Sequence, residues 1–172
     1  MNLKQKIREI PDFPKKGINF KDITTLLKNK DAFNFVVDSI VNEFKDKNIT
    51  KVIGLESRGF IFGGALAGRL NAGFVPVRKK GKLPAEILSE TYELEYGTDS
   101  VEIHADALDE KDVVLIHDDL LATGGTAYAA LNLTKRMGVK KAYFSFVCDL
   151  EFINTPKKDE IKAFNPQILV KY

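Results

Sequence analysis

The sequence predicts an α/β fold in which a parallel β-sheet is flanked by helices. Three short apolar runs, residues 51–55, 73–77 and 113–116, are rich in β-branched side chains, as expected of strands buried on both faces. Helical patterns follow the first and the third run, and this alternation is typical of a parallel sheet. At 172 residues, the chain is expected to form one domain, residues 1–172.

The first 30 residues combine a short helical pattern with an irregular segment. A helix is expected over residues 3–10, ended by Pro11, and the segment PDFPKKGINFKDIT follows it. Two prolines and a glycine exclude a regular element there, and its apolar residues are expected to anchor it to the core. A helix capped by Asp31 is predicted over residues 32–47, where apolar residues recur at helical spacing.

A tight turn of sequence ESRGF, residues 56–60, follows the strand predicted over residues 51–55. A helix is predicted after it, over residues 61–70. Backbone N–H groups, the Ser57 hydroxyl and the Arg58 guanidinium could bind an anion together. Since a surface arginine in a turn is common, this motif is a weak signal by itself.

A hairpin is predicted after the next strand. The basic residues 78–82 come first, and taken alone they would be a solvated turn. Residues 83–105 then alternate between apolar and polar side chains, which indicates two antiparallel strands with a turn at residues 97–99.

The stretch VVLIHDDLLATGGT, residues 113–126, is the strongest indication of chemistry. Its glycine-rich turn precedes a helix expected over residues 127–137, and N–H groups at a helix start are a binding site for phosphate. Asp118 and Asp119 are expected at the end of the buried strand, where carboxylates would repel phosphate. They are therefore expected to hold ribose hydroxyls or a magnesium ion. His117 is interpreted as a packed residue.

Two further strands are expected near the C-terminus, over residues 141–148 and 168–170. Composition excludes several classes of function. A net charge of +2 is too small to indicate nucleic-acid binding. No apolar run approaches the roughly 20 residues of a membrane span. Cys148 is the single cysteine, so no intrachain disulfide can form, and it is expected to be a small core residue in a reducing compartment.

Four separated motifs resemble those of type I phosphoribosyltransferases, most closely the members that act on adenine. DDLLATGGT is similar to their phosphoribosyl-pyrophosphate (PRPP) signature, and the pattern FP..G..F.DI, the turn ESRGF and the short LEYG are the others. The resemblance implies the type I phosphoribosyltransferase fold, with a small N-terminal hood (residues 1–30) and a flexible β-hairpin flap (residues 78–105). It also implies a cis peptide bond between Glu56 and Ser57.

The resemblance assigns the candidate site residues to four groups. Adenine would contact Asn19, Phe20, Lys21 and Leu150. The ribose and its 5-phosphate would contact Asp118, Asp119, Ala122, Thr123, Gly124, Gly125 and Thr126. Pyrophosphate would contact Glu56, Ser57, Arg58, Lys82 and Arg78 of the partner subunit. The catalytic residues would be Glu95, as acceptor of the proton of the base, with Asp119 and Arg58.

Three positions depart from the usual pattern of the family. Asn19 and His117 stand where an apolar residue is usual, and Lys21 replaces a common arginine. Recognition of the base by backbone groups would tolerate the changes at Asn19 and Lys21, because a backbone contact does not depend on the side chain.

The implied reaction is purine salvage, in which adenine and PRPP give AMP and pyrophosphate. Mg²⁺ would be held mainly by PRPP and water rather than directly by the protein, and the enzyme would be a cytoplasmic homodimer that binds neither nucleic acid nor membrane. Two alternatives stay open: a phosphoribosyltransferase for hypoxanthine, guanine or xanthine, and a non-catalytic PRPP-sensing regulator. A regulator would need a DNA-binding module, and the first 30 residues show no helix-turn-helix pattern.

Overall fold

The computed structural model describes residues 1–93 and 97–172. The strands are β1 (Arg8–Ile10), β2 (Phe20–Asp22), β3 (Lys51–Leu55), β4 (Gly73–Lys79), β5 (Ile87–Glu93), β6 (Thr98–His104), β7 (Val113–Leu121), β8 (Lys141–Asp149) and β9 (Gln167–Lys171). The helices are a 3₁₀ turn (Leu3–Lys6), α1 (Thr24–Leu27), α2 (Lys30–Phe44), α3 (Gly59–Arg69), α4 (Gly125–Arg136) and α5 (Pro156–Lys162).

The main sheet has the strand order β5-β6-β4-β3-β7-β8-β9. Its five strands from β4 to β9 pair in parallel, and the hairpin β5–β6 joins β4 in antiparallel orientation. The predicted α/β fold with a parallel sheet flanked by helices is therefore confirmed. β1 and β2 form a separate antiparallel pair, with Ile10 opposite Phe20.

Two hydrophobic clusters cover the two faces of the sheet, as the alternation of side chains along a strand requires. On one face, Ile53 and Ile116 pack with residues of α4, α5 and the β5–β6 hairpin. On the other face, Val52 and Leu115 pack with α1, α2 and α3. Both faces are buried, which explains why the central strands are near-continuous apolar runs.

The N-terminal prediction is wrong in three places. The segment expected to be irregular contains the strand β2, which pairs with β1. The helix expected over residues 3–10 is a single 3₁₀ turn followed by β1, because β1 pairs with β2, a partner that a local pattern does not reveal. The cap of α2 is Asn29, whose side chain accepts a hydrogen bond from the N–H of Ala32 at 2.9 Å. Asp31 instead lies in the first turn of this helix.

The predicted strand ends are also corrected. β7 continues through Asp118 and Asp119 to Leu121, because β8 keeps pairing with it. Of the residues 97–99 expected to form the hairpin turn, Thr98 and Asp99 belong to β6 instead, where they pair with Glu93 and Tyr92. His117 and Cys148 are both fully buried, as expected. None of the helices in the described ranges is long and apolar enough to cross a membrane.

Candidate active site at the carboxyl ends of the parallel strands

The turn between β7 and α4 has the geometry of an anion-binding loop. Gly124 is the N-cap of α4 and has φ +79°, a left-handed conformation that favours glycine. Asp118 and residues 120–127 line a cavity of about 70 Å³. Because α4 begins at Gly125, its unpaired N–H groups lie at this cavity, as binding of a phosphate group requires.

The two adjacent carboxylates lie just beyond the last pair between β3 and β7, which joins Gly54 to His117. Here the N-terminus of α3 approaches β7 closely. A Cβ atom added at Gly59 would lie 2.9 Å from the carbonyl oxygen of His117 and 3.0 Å from Asp118 Oδ1. The acidic pair is therefore enclosed by α3 on one side and remains paired with β8 on the other.

The environment of this acidic pair disfavours its charge. Burial raises the pKa of the Asp118 carboxyl well above its ordinary value, and the neighbouring Asp119 raises it further. Burial also raises the pKa of Asp119, an effect that the guanidinium of Arg58 opposes. Perturbed carboxyl groups of this kind are concentrated at functional sites.

Arg58 connects three of the predicted parts of the site through two contacts. Its Nε lies 3.0 Å from Asp119 Oδ2. Its guanidinium carbon also lies 5.1 Å from the centroid of the Phe20 ring, a cation–π distance. These contacts bring together the turn ESRGF, the acidic pair and the predicted purine-stacking ring. Phe20 and Arg58 are 38 positions apart in the sequence.

The turn after β3 contains the implied cis peptide bond, between Glu56 and Ser57. Ser57 is exposed. The Glu56 carboxylate accepts a hydrogen bond from the N–H of Lys79 at 2.8 Å, and Arg78 Nε lies 3.3 Å from its Oε2. Arg78 thus contacts its own chain here, and its predicted contribution to a partner subunit stays a prediction.

Lys82 is exposed, and its carbonyl oxygen accepts a hydrogen bond from Arg78 at 3.4 Å. The N–H of Gly81 donates to the buried Glu102 at 2.9 Å, so the segment after β4 is held against β6. Glu95 lies outside the described residues. Its predicted role as proton acceptor stays a prediction.

In the predicted hood, the side chains of Asn19 and Lys21 both contact Glu9. Asn19 Nδ2 donates to Glu9 Oε2 at 2.6 Å, and Lys21 Nζ lies 2.8 Å from the same oxygen. Lys21 is buried and also lies 4.1 Å from the ring centroid of Tyr172. The side chains of Asn19 and Lys21 therefore both contact Glu9 of β1 and stabilise the β1–β2 pair.

Leu150 follows β8, and its N–H donates to the carbonyl of Leu121 at 3.0 Å. Sequence reasoning missed a buried ion pair beside it, between Asp149 and Lys158, at 2.6 Å. Lys158 belongs to a short lysine-rich segment that reads as surface. No local pattern separates such a buried lysine from its exposed neighbours.

Tyr92 connects the β5–β6 hairpin to the phosphate loop. Its hydroxyl accepts a hydrogen bond from Thr126 and donates one to Asp99, both at 3.3 Å. Asp99 is in turn 3.1 Å from Lys79 Nζ. The hairpin therefore contacts the start of α4 directly, a contact that the sequence did not predict.

A larger cavity lies away from these residues. It has a volume of about 580 Å³ and is lined by residues 1–4, Phe35, Ser39 and residues 168–171. None of the predicted site residues within the described ranges lines it. We place the candidate site at the smaller cavity, because that cavity is where the perturbed carboxylate and the helix N-terminus meet.

Comparison with known proteins identifies the family of the chain. Residues 21–163 match the model of the phosphoribosyl transferase domain. Adenine phosphoribosyltransferase of Phocaeicola vulgatus is 58% identical over 155 residues, which cover 90% of this chain and 89% of that protein. The structure of the Thermoanaerobacter pseudethanolicus enzyme of that name matches with a TM-score of 0.92 and 49% identity, over 99% of this chain and 98% of the other.

A third match is the Giardia lamblia enzyme complexed with 9-deazaadenine, at a TM-score of 0.92 and 38% identity, with 99% of this chain and 96% of the other covered. Fold, identity and coverage agree over nearly the whole length. The chain therefore belongs to the adenine phosphoribosyltransferase family.

Proposed function

We propose that this protein transfers the 5-phosphoribosyl group of PRPP to adenine, giving AMP and pyrophosphate in purine salvage. The observation that carries the proposal is the position of Arg58, between the ring of Phe20 and the carboxylate of Asp119. From the hood to α4, the site presents an aromatic face, a cation, two carboxylates and an anion-binding loop. The substrates present a purine, a diphosphate, two ribose hydroxyls and a phosphate in that order.

The 5-phosphate belongs in the loop of Ala122, Thr123, Gly124, Gly125 and Thr126. Its negative charge is favoured there by the N–H groups and the dipole at the start of α4. Asp118 and Asp119 accept hydrogen bonds from the ribose 2- and 3-hydroxyls. This pairing explains why two carboxylates lie beside a phosphate site that they would otherwise weaken.

The diphosphate belongs at the turn after β3. Arg58, Lys82 and Arg78 of the partner subunit supply positive charge, and Ser57 supplies a hydroxyl donor. Glu56 would not contact the diphosphate through its carboxylate, because that group is held by Arg78 and by the N–H of Lys79. Its share of the binding comes from the backbone of the turn.

Mg²⁺ fits this site as an ion bound to the substrate. Among the described residues, no group of three or more carboxylate, histidine or cysteine side chains could hold a metal. Diphosphate oxygens, ribose hydroxyls and water are the hard oxygen ligands that Mg²⁺ prefers, with the acidic pair nearby. When bound, the ion neutralises the charge of the departing diphosphate.

In the reaction, the bond between C1 of the ribose and the diphosphate oxygen breaks with the electron pair leaving on oxygen. A purine ring nitrogen forms the new bond to C1 and loses its proton. Asp119 faces the ribose, where positive charge develops at C1, and it stabilises that charge electrostatically. Glu95 would take the proton of the base. The β5–β6 hairpin would exclude water, the competing nucleophile.

Adenine belongs between Phe20 and Leu150, with the backbone of Asn19 and Lys21 at its edge. Adenine carries an amino donor at C6, whereas hypoxanthine carries a carbonyl acceptor. The contacts of the Asn19 and Lys21 side chains with Glu9 support a backbone reading of this difference. Stacking supplies affinity for any purine but little choice between purines.

The homodimer and the cytoplasmic location are also part of the proposal. Ile61 on α3 and Phe74 on β4, the strand that also carries Arg78, are large exposed apolar side chains, as a subunit interface would require. Cys148 is a buried free cysteine, which suits a reducing compartment.

The experiment is a steady-state assay of PRPP with adenine, hypoxanthine, guanine and xanthine. We expect adenine to be preferred by at least about thirtyfold, because two mispaired polar edges of about 1–3 kcal/mol each sum to about 2–6 kcal/mol. Phe20→Ala should raise the KM for adenine and Asn19→Val should leave it nearly unchanged, and neither should alter the preference. Comparable turnover of hypoxanthine, or a switched preference in Asn19→Val, would contradict backbone recognition.

A further inference from the structure

Asp149 and Lys158 form an ion pair that lies almost completely out of solvent. Asp149 Oδ1 lies 2.6 Å from Lys158 Nζ, and the two side chains are 0% and 1% exposed. Lys162 approaches the other carboxylate oxygen at 3.0 Å and is 37% exposed. Removing two charges from water is unfavourable, and apolar residues often fill such a place with equal stability. A further use for this pair is therefore expected.

The ammonium group of Lys158 also holds the backbone of Leu150. Nζ donates to the Leu150 carbonyl at 2.5 Å. The N–H of Ile153 donates to the same carbonyl at 3.0 Å, and the N–H of Leu150 is bonded to Leu121. The peptide groups on both sides of the Leu150 side chain are thus fixed, and Lys158 supplies a charged donor to one of them.

The segment that carries Lys158 also supports the phosphate loop. Thr155 Oγ1 donates to the carbonyl of Thr123 at 2.5 Å. A Cβ added at Gly124 would lie 2.8 Å from Lys158 Cα and 2.9 Å from its backbone nitrogen, so the loop rests directly on this backbone. Thr155 also caps α5, by accepting from the N–H of Lys158 at 3.1 Å.

We infer that residues 155–158 act as a positioning strap, which sets the phosphate loop and the Leu150 contact relative to each other. Thr155 positions the loop, and the Lys158 side chain positions Leu150. The inference rests on the proposed function, because that function assigns the loop to the 5-phosphate and Leu150 to adenine. Neither residue touches substrate. Each positions the contact made with one of the two substrates. The two contacts lie at opposite sides of the bond that forms, where small displacements lower the rate strongly.

The test separates the two contacts of the strap. The double variant Asp149→Asn/Lys158→Met removes both charges at similar volume, so no buried charge is left unpaired. We expect it to raise the KM for adenine about tenfold, the effect of one charge-assisted hydrogen bond, and to leave the KM for PRPP within about twofold. Thr155→Val should instead raise the KM for PRPP and leave the KM for adenine within about twofold. Thr155→Ser keeps the hydroxyl and should retain the wild-type values.

Lys162→Met is the matched control, because Lys162 contacts Asp149 but neither Leu150 nor the loop, and both KM values should stay unchanged. A purely structural role would lower Tm and kcat without a selective change in either KM. That result, or a parallel rise of both KM values in each variant, would overturn the strap. If the double variant does not fold, the Thr155→Val and Thr155→Ser pair decides. Failure of the wild-type chain to form AMP would contradict the proposed function instead.

Discussion

Asp118 belongs to the proposed ribose site, and its carboxyl pKa is raised above the ordinary 3.8 by burial and by Asp119. The folded protein therefore holds a proton that the unfolded chain has released. Its free energy of unfolding falls as the pH rises from 3.8 through the raised pKa. At pH 7, Asp118→Asn removes this unfavourable ionisation. We expect Tm to rise by several degrees, while kcat falls at least about a hundredfold.

Thermal unfolding and steady-state kinetics on the same preparations check this prediction. Asp46→Asn, at an exposed position after α2, is the matched control and should change neither quantity. A lower Tm for Asp118→Asn would show that the carboxylate supports the fold rather than the ribose site.

His117 illustrates a second effect of burial. Its Nδ1 lies 2.8 Å from Ser145 Oγ across β7 and β8, and desolvation lowers the pKa of the imidazole from 6.5 to about 3. The unfolded chain then binds the additional proton between these values. The free energy of unfolding should therefore fall by about 1.4 kcal/mol for each pH unit below 6.5.

Urea unfolding at pH 7 and pH 4.5 measures that slope. The double variant His117→Val/Ser145→Ala removes both polar groups and should lose this contribution, whereas Ser145→Ala alone keeps the buried imidazole and the slope. Equal pH dependence in wild type and the double variant would mean that His117 is already protonated in the folded state.

At the scale of residues, the sequence revealed the groups that bear obvious chemistry. Asp118 and Asp119 stand in a short motif whose spacing already indicates a ligand, whereas the resemblance was needed to assign Arg58 to the site. Asp149 and Lys158 could not be found in this way. Their pairing depends on where α5 packs, and the same residue types are far more often on the surface.

At the scale of elements, β3 and β8 could be predicted because both of their faces are buried, and strands of this kind are near-continuous apolar runs. The N-terminal helix was wrong because β1 forms only through β2, ten or more residues along the chain. The end of β7 was misplaced for a related reason, since a strand continues for as long as its neighbour does.

The loop between β7 and α4 is specified by its surroundings as well as by its backbone angle. Gly124 has φ +79°, and a methyl group there would lie within 2.8 Å of the Lys158 backbone. Gly138, which follows α4 at φ +85°, has its nearest neighbour at 3.5 Å. An alanine at Gly138 would make no close contact, and its only penalty would be the left-handed backbone conformation, which costs about 1–2 kcal/mol.

We therefore expect Gly124→Ala to lower the free energy of unfolding by about 1–3 kcal/mol more than Gly138→Ala does. It should also raise the KM for PRPP, because the loop must move off α5. Chemical denaturation and kinetics on the two variants provide the comparison. Equal losses of stability would show that α5 yields to the added methyl group.

At the scale of the whole molecule, the parallel sheet places three of the predicted site segments at one edge. The turns after β3, β7 and β8 all leave from carboxyl ends, where ligands bind in open α/β sheets. The relative placement of these turns followed from the predicted topology. The placement of the hood did not, because its contact with Arg58 is set by tertiary packing of an irregular segment.

The proposed pyrophosphate site would include a residue of a second chain. Arg78 lies 3.3 Å from Glu56 of its own chain, and the resemblance assigns it to the pyrophosphate site of a partner subunit. If sites are shared in this way, mixing two inactive variants, Arg78→Ala and Asp119→Asn, should restore activity. A mixed dimer then has one site with an intact Asp119 and an intact Arg78 of the partner subunit. Random exchange predicts roughly a quarter of wild-type activity.

The control for this experiment mixes the Arg78→Ala/Asp119→Asn double variant with Asp119→Asn. No site in any resulting dimer has an intact Asp119, so activity should stay absent. Native mass spectrometry measures the fraction of mixed dimers in both samples. Proven exchange without recovery in the first mixture would place Arg78 in the site of its own chain, as its contact with Glu56 allows, and each subunit would then act alone.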